Sequence, residues 1–480
     1  MNKYLFILGL VGTALFTACS TADDLVSEKP IETPPVEEPK ETTLLVEARQ
    51  NSEIPITLGV GQSRGITRSP MNPDGEGNFT TEDGKYLGVF CLATGTQANE
   101  SNIPTMIKNF KWNTAPADDE DGLIVRMRNV PAQVTTDGST SNVVFLDSTT
   151  LVNPTPTQQE WYYPMGNWLK YNFYAYYPRQ AYEVNGKKTL SFSENQVLET
   201  YLTIDGSQDV IWGRAHPWNP RTPEEATGFD PYCAKYFRKK RAEFGDENIK
   251  NYYPKFVFEH KLAQFRFFVK AASDDVLTNL TSLNMNVTDM YIANAIYSLS
   301  LVVAQKDSTK NGTLKMKSVT PSTKKLRIKT NTDADRFNQE APYEGEDDSD
   351  DSYLDHPMTI PSAAVDVTTV DGDGNPSDPG YVGYIMLPDP RINSNESNEF
   401  KFKYQLTLKV KYTVNEVEKT DIIAIDMDPP LIPESDPEEF GFEAGKIYNI
   451  IVNVQSPEKI SATATLQGWN NSPAVIEYGN

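Results

Sequence analysis

Residues 400–414 alternate strictly between apolar and polar side chains. The apolar positions are Phe400, Phe402, Tyr404, Leu406, Leu408, Val410, Tyr412 and Val414, and lysine, glutamine or threonine stands between them. A helix would spread this pattern around its whole surface, whereas a strand places every second side chain on one face. The segment therefore predicts an antiparallel strand with one buried face and one solvated face.

Shorter runs of the same kind occur along the rest of the chain. They predict strands at residues 54–60, 86–93, 141–147, 171–178, 256–262, 265–270, 417–427, 448–454, 460–466 and 474–478. Asn415 and Glu416 predict a hairpin turn. The 33 prolines and 28 glycines favour many short strands joined by turns. The predicted fold is therefore all-β and built from sandwiches.

A break in the pattern near residue 272 predicts a domain boundary. Ala271 and Ala272 are followed by Ser273, Asp274 and Asp275, which continue no alternation. The break divides the body into an N-terminal sandwich over residues 44–272 and a C-terminal sandwich over residues 273–480. Each part is long enough to bury a core of its own.

Residues 1–18 have the layout of a secretory signal. Lys3 precedes an apolar run at residues 4–16, and small residues precede Cys19. The apolar run is too short to cross a bilayer, which takes about 20 residues. Its end resembles the lipobox of bacterial lipoproteins, so we expect acylation of Cys19, with palmitate for example, and a lipid anchor. The alternative is an ordinary cleaved signal with an incidental cysteine.

The charge of the chain limits its partners. Asp and Glu number 66 against 44 Lys and Arg, and the formal net charge is −22. Such a field repels a phosphate backbone, so we expect no nucleic-acid partner. Residues 19–43 are acidic and rich in proline, which predicts an extended tether between the lipid anchor and the folded body.

Few residues are suited to metal or acid–base chemistry. The chain has only three histidines and three cysteines, and we expect no metal site, no cofactor and no catalytic residue. Cys91 and Cys233 allow at most one disulfide. Residues 61–65 fit the G-x-S-x-G motif of hydrolases, but the helical pattern that this motif requires does not follow. His260 lies in phase with Phe258 and is expected to be a hydrogen-bonded core residue.

Several segments, in this order, resemble the fimbrillin family, the subunits of type V pili in Gram-negative bacteria. They are the strand, arginines, glycine and proline of residues 54–70, residues 83–90, the tyrosine-rich residues 173–178, residues 258–263, and residues 444–450 followed by Trp469. The resemblance spans nearly the whole chain. It implies two tandem transthyretin-like β-sandwich domains in a structural subunit that is carried to the outer membrane as a lipoprotein.

The resemblance also implies a route of assembly. A trypsin-like, arginine-specific protease cuts just past the first strand, and that strand leaves. The open groove then accepts a strand from another pilin subunit, which is a form of β-augmentation. By position, the removable strand carries Ile54, Ile56, Leu58 and Val60. The subunit would thus pass from the outer membrane to an extracellular fimbrium.

Arg64 and Arg68 are the candidate cleavage sites. Glycine and proline around them favour an exposed loop, where proteolysis concentrates. Arg68 fits the position in the family motif better, and Pro70 leaves the bond between Arg68 and Ser69 free of a following proline. The alternative is that both arginines are surface charges.

Two further alternatives stay open. Ala462, Ala464 and Leu466 alternate and are candidate donor residues, but the same segment also fits the last strand of the C-terminal sandwich, as in a tip or anchor subunit. A surface glycan-binding lipoprotein would share the anchor, the tether and the sandwiches. The aromatic clusters at residues 161–163 and 212–218 would then stack on sugars, whereas core or rim packing is the simpler interpretation.

Overall fold

The computed structural model describes the following parts of the chain. They are residues 51–60, 86–96, 111–112, 123–137, 140–153, 155–165, 169–181, 183–184, 187–193, 196–216, 232–305, 310–316, 323–328, 358–361, 365, 377–390, 403–430, 441–457, 459–467 and 473–477. All of them belong to one compact unit over residues 42–480.

The N-terminal half contains thirteen of the strands. They are β1 (Asn51–Pro55), β2 (Leu58–Val60), β3 (Leu87–Thr96), β4 (Val125–Asp137), β5 (Thr140–Phe145), β6 (Tyr162–Pro164), β7 (Leu169–Tyr177), β8 (Glu183–Val184), β9 (Lys187–Lys188), β10 (Leu190–Phe192), β11 (Val197–Thr203), β12 (Ile211–His216) and β13 (Lys255–His260).

Seven of these strands close into a barrel in the order β12-β13-β2-β5-β4-β3-β7. Neighbours are antiparallel, except that β2 runs parallel to β13. Side chains that alternate along the strands fill the interior, among them Val89, Phe173 and Phe256. Because the sheet is closed on itself, its strands have no exposed edge.

The C-terminal half contains the remaining strands. They are β14 (Ala263–Ala271), β15 (Asn286–Ile296), β16 (Ser298–Gln305), β17 (Leu314–Met316), β18 (Thr323–Arg327), β19 (Met358–Thr359), β20 (Tyr381–Leu387), β21 (Tyr404–Val414), β22 (Val417–Met427), β23 (Ile447–Ser456), β24 (Lys459–Gln467) and β25 (Pro473–Glu477).

Two sheets of this half form a sandwich. One has the order β20-β14-β23-β24-β25, and the other has the order β18-β15-β21-β22 with β19 beside β15. Both sheets contribute buried side chains to a single apolar cluster, including Phe265 and Ile450 from the first and Ile292 and Leu406 from the second. Sheets that share a core in this way face each other as two layers.

A four-stranded sheet in the order β10-β11-β16-β17 joins the two halves. Strand β11 pairs with β16 from Val197 opposite Gln305 to Thr203 opposite Ser298. Phe90, Tyr176 and Trp212 of the barrel strands lie in the same apolar cluster as the sandwich core. The halves therefore share a sheet and part of a core.

The described residues include two α-helices: α1 (Ala234–Asn248), which is kinked at Gly245, and α2 (Asp274–Ser282). A 3-10 helix (Ile249–Tyr252) follows α1. Helix α2 begins where the break at residue 272 was noted, because the Ser273 hydroxyl accepts a hydrogen bond from the N–H of Val276 (3.3 Å) and caps the first turn. No helix among these residues is long and apolar enough to cross a bilayer.

The predicted all-β fold is confirmed, and the long alternating strand is present as β21. Tyr404, Leu406, Leu408 and Val410 of β21 are fully buried, as the alternation requires. Residues 400–402 lie outside the described residues. Strands β21 and β22 pair along their whole length around a two-residue turn. In the N-terminal half, the sandwich is closed into the barrel.

Candidate functional site

The predicted first strand is present as two short strands, β1 and β2, separated by Ile56 and Thr57. Ile54, Ile56 and Leu58 are 2%, 4% and 0% exposed, and they belong to the core cluster of the barrel. Val60 is half-buried and packs against the same cluster. The alternation read from the sequence therefore describes one continuous inward face.

Strand β1 lies beside the barrel rather than within it. It forms a two-stranded sheet with β6, with Asn51 opposite Pro164 and Pro55 opposite Tyr162. Strand β1 has a neighbour on one side only in this sheet. Pro55 is tolerated there because no second strand requires an N–H from it. Just beyond the strand, the N–H of Ile56 donates to the carbonyl oxygen of Trp161 at 2.7 Å.

Strand β2 is part of the barrel and lies between β13 and β5. Leu58 and Val60 lie opposite Val143 and Ser141 of β5 in an antiparallel ladder. On the other side, Val60 lies opposite Phe256 of β13 in a parallel ladder. The strand is only three residues long, yet it completes the closure of the sheet.

Gly59 allows the neighbouring strand to approach closely. A Cβ atom added at Gly59 would lie 3.3 Å from Cγ of Lys255, which is tighter than ordinary van der Waals contact. The stem of Lys255 thus lies against the backbone of β2, and burial lowers the pKa of its ammonium group. The N–H of Gly59 donates to the carbonyl oxygen of Pro254 at 2.9 Å.

Departure of β1 and β2 would open the barrel at one defined position. The facing edges of β5 and β13 would lose their backbone partners, and a slot would replace the side chains of Ile54, Ile56 and Leu58. Each of these aliphatic side chains contributes roughly 1.5–3 kcal/mol by burial. The vacated slot would therefore favour any strand with the same apolar spacing.

The candidate donor residues lie in β24, an internal strand of the sandwich. Its nine residues pair with β23 on one side, and β25 pairs with its other side. Ala462 is 1% exposed. Strand β25 lies at the end of the sheet order. In this structure, the segment is thus part of its own sandwich, which is the second of the two alternatives read from the sequence.

Cys19, Arg64 and Arg68 lie outside the described residues. Cys91 and Cys233 are both buried, and neither forms a disulfide. His260 is 7% exposed, and its Nδ1 is hydrogen-bonded to Oδ2 of the buried Asp209. The prediction of a hydrogen-bonded core histidine is confirmed.

The described members of the two aromatic clusters lie partly in the core and partly at the surface, and Trp218 lies outside the described residues. Tyr163 is 1% exposed and Trp212 is 7% exposed, so neither presents a face to solvent. Trp161 is only half-buried and lies at the rim of a cleft. A cluster that looks uniform in sequence is therefore divided between the core and the surface.

No protein-family model and no curated protein sequence matches the chain. Solved structures do match. A proposed cell adhesion protein from Bacteroides uniformis is 12% identical, with a TM-score of 0.34, and the match covers 87% of this chain and 99% of that one. A second, from Parabacteroides distasonis, is 8% identical with a TM-score of 0.39, covering 88% and 98%.

The fimbrial anchor protein Mfa2 from Porphyromonas gingivalis is 10% identical, with a TM-score of 0.26, and the match covers 88% of this chain and 100% of that one. All of these TM-scores are low, and similarity at this level carries no argument about function. The resemblance read from the sequence is confirmed as a resemblance: the chain is similar to solved fimbrial and cell adhesion proteins.

Proposed function

We propose that the chain is a structural subunit of a cell-surface fimbria and is assembled by donor-strand exchange after proteolysis. Its role is to polymerise with other pilin subunits, and it has no catalytic function. The proposal begins from the family resemblance in the sequence, and one feature of the structure supports it most strongly. That feature is the place of β2 in the barrel.

Strand β2 is a short strand that lies between β13 and β5, and Leu58 and Val60 fill its slot with apolar side chains. Such a strand is suited to replacement, because only a few backbone hydrogen bonds have to be exchanged. The slot stays specific, because it accepts only strands with the same spacing of apolar side chains. A strand at the edge of a sheet would leave only one new edge. Loss of β2 leaves two exposed edges, on β5 and β13, and one incoming strand can form backbone hydrogen bonds with both.

The order of the anchor, the first strands and the arginines along the sequence fits a release of the subunit that is controlled by cleavage. Arg64 and Arg68 follow β2 directly, so that a cut at either one separates residues 51–60 from the rest of the chain. The same cut separates the body from Cys19. In this proposal, an acylated Cys19 holds the precursor at the outer membrane, and a trypsin-like protease both frees it and opens its slot.

The donor strand is proposed to come from the segment that includes Ala462, Ala464 and Leu466. Donation of β24 requires separation of its ladder with β23. A subunit that keeps β24 in its own sandwich would accept a strand but donate none, as befits one end of a filament. These two roles are distinguished by whether the chain polymerises alone or only adds to another subunit.

Limited trypsin treatment of the purified full chain tests the proposal. We expect a new N-terminus at Ser69 or Gly65, loss of residues 51–60 from the folded body, and oligomers that survive on unboiled gels. An Arg64→Gln, Arg68→Gln double variant should remain intact in this region and monomeric. Arg49→Gln is the matched control, because cleavage after Arg49 spares β1 and β2.

Two outcomes would contradict this function. A chain that trypsin leaves intact and monomeric would not be a proteolytically activated pilin. A chain that is cut after Arg68 but keeps residues 51–60 bound, without forming oligomers alone or with other subunits, would show that β2 is a permanent part of the barrel.

A further inference from the structure

A cleft of about 460 Å³ lies beside the barrel. Its lining includes three arginines from two strand regions, together with an acid, an amide and an aromatic ring: Arg126, Arg128, Arg179, Asp147, Gln159 and Trp161. This gathering of guanidinium groups stands out in a chain with a net charge of −22. The volume is in the range that holds a small ligand.

A β-bulge brings two of the arginines to the cleft. Arg126 and Arg128 alternate with the buried Met127 on β4 and therefore share one face. Pairing with β3 then skips a position between Met127 and Val130, and Asn129 has a positive φ of 53°. Bulges of this kind redirect side chains and are common beside binding sites.

The buried side chain of Asn129 holds in place the segment that carries Arg179, the third arginine of the cleft. Its Nδ2 donates to the carbonyl oxygen of Gln180 at 2.8 Å, and its Oδ1 accepts from the hydroxyl of Tyr176 at 3.0 Å. The Nε of Arg179 donates to the main-chain oxygen of Asn129 at 2.9 Å. A Cβ atom at Gly88 would lie 2.3 Å from that Oδ1, so a glycine is required opposite.

The other two guanidinium groups are also held by contacts. Nε of Arg126 donates to the carbonyl oxygen of Tyr162 at 2.9 Å, and its guanidinium carbon lies 6.0 Å from the ring centre of Trp161. The guanidinium of Arg128 lies 4.6 Å from the ring centre of Phe192. Arginines fixed in this way lose little freedom when they bind an anion.

We propose that this cleft binds a carboxylated sugar, a glycan unit with one carboxylate among several hydroxyl groups. Arginine matches a carboxylate with two parallel hydrogen bonds. The ring of Trp161 offers an apolar surface for a sugar face, and Asp147 and Gln159 offer acceptors for hydroxyl groups.

The negative charge of Asp147 favours this ligand over a more highly charged anion. Its Oδ1 accepts hydrogen bonds from the N–H of Thr149 (2.9 Å) and from its hydroxyl (2.8 Å). These bonds lower the pKa of Asp147, so it is ionised at neutral pH. An ionised carboxylate in the lining repels a doubly charged phosphate ester more strongly than a singly charged carboxylate, and it accepts hydrogen bonds from hydroxyl groups.

Calorimetric titration of the full chain with glucuronic acid and with N-acetylneuraminic acid tests the proposal. We expect saturable binding of at least one acid, no binding of glucose, and weaker binding as salt is added. Arg126→Gln and Arg128→Gln should each weaken binding by about tenfold or more, because each removes a charge-assisted contact. Lys419→Gln on the exposed side of β22 is the matched control and should bind as the original chain does.

The ligand series keeps the test decisive even if an arginine variant fails to fold. Absence of binding by both acids, or equal binding of glucose, would overturn the proposal. Equal binding of inorganic phosphate, sulfate or an acidic peptide would show a general anion site instead of a sugar site. Because these titrations need neither cleavage nor polymers, their result is independent of the trypsin experiment.

Discussion

At the scale of single residues, the buried His260 has a hydrogen-bond partner that lies far away in sequence. The phase of the strand was enough to predict that His260 points inward. Its partner Asp209 is 51 residues away and precedes a different strand, so no local pattern identified it. Removal of either member would leave the other buried without this partner, which is more costly than the loss of a surface contact.

The thiol of Cys91 permits a prediction about pH. Burial raises the pKa of Cys91 well above its usual range. The unfolded chain therefore releases this proton first, near pH 8.5, so the thiol's contribution to stability is complete below that pH and is lost as pH rises. Denaturant unfolding between pH 8 and pH 10 should show a stability that declines less steeply in Cys91→Ala than in the original chain.

Counting the thiols that react before and after unfolding complements this measurement. In a Cys19→Ser chain, we expect Ellman's reagent to find no reactive thiol in the native state and two after unfolding, because Cys91 and Cys233 are buried and neither forms a disulfide. Equal slopes of stability against pH in both chains, or rapid native-state labelling of Cys91, would contradict the assigned burial.

At the scale of elements, local sequence predicted several strands that have one regular buried face, although β11, which alternates in the same way, was not among them. Strand β21 and its hairpin with β22 follow from alternation and from a turn of suitable residues. Strand β4 did not, because its bulge at Asn129 breaks the two-residue period and Pro131 interrupts it again. Helix α1 was also missed, since it buries only Ala234 and Phe237 and so lacks an apolar stripe.

The hairpin turn carries a prediction about stability. Asn415 and Glu416 both have positive φ, of 52° and 64°, as in a type I′ turn. Glycine adopts this conformation without the strain that a Cβ imposes. Glu416→Gly should therefore stabilise the protein by about 0.5–1 kcal/mol in denaturant unfolding.

A matched substitution separates the turn from a general effect of glycine. Glu418 is also exposed but lies within β22, where glycine costs about 0.5–1 kcal/mol. Glu418→Gly should destabilise the protein. If both variants shifted stability in the same direction, the turn would not have the type I′ conformation.

The domain division also belongs to the scale of elements, and the boundary at residue 272 stays a prediction. Strand β14 precedes residue 272 but pairs with β20 and β23 of the C-terminal sandwich. This pairing favours a division between β13 and β14, at Lys261 and Leu262. Composition alone pointed to residue 272 because the cap of helix α2 interrupts the strand pattern there.

At the scale of the whole molecule, closure of the barrel depends on a three-residue strand near its N-terminal end. Leu58 is fully buried, and its strand has partners on both sides. Cleavage past Val60 makes this strand a separate peptide, bound only by its ladders and its apolar side chains. The slot should then accept that peptide, or a similar strand, from solution.

A peptide of residues 51–60 should restore the cleaved protein. After cleavage at Arg68 and removal of the released strand, addition of this peptide should raise the thermal unfolding midpoint and suppress oligomers. Binding to the folded state alone contributes about 2.7 kcal/mol when the peptide exceeds its Kd a hundredfold. Thermal unfolding and gel filtration at increasing peptide concentrations measure both effects.

A peptide with Leu58→Lys is the matched control, because it keeps length and backbone but places a charge in the slot. It should neither stabilise the protein nor block oligomers. Equal effects of the two peptides would mean that the side-chain spacing of β2 does not determine what the slot accepts.

The sequence by itself determined the class of fold and the inward faces of its regular strands, since alternation is a local property of a pleated backbone. It also placed Ile54, Ile56 and Leu58 on one buried face and His260 in the core. Only the tertiary structure decided which strands are neighbours, and hence that β2 closes a barrel and that β24 is internal to its sheet. It alone brought Arg126, Arg128 and Arg179 to one cleft, because contacts between distant segments depend on how the sheets close and pack.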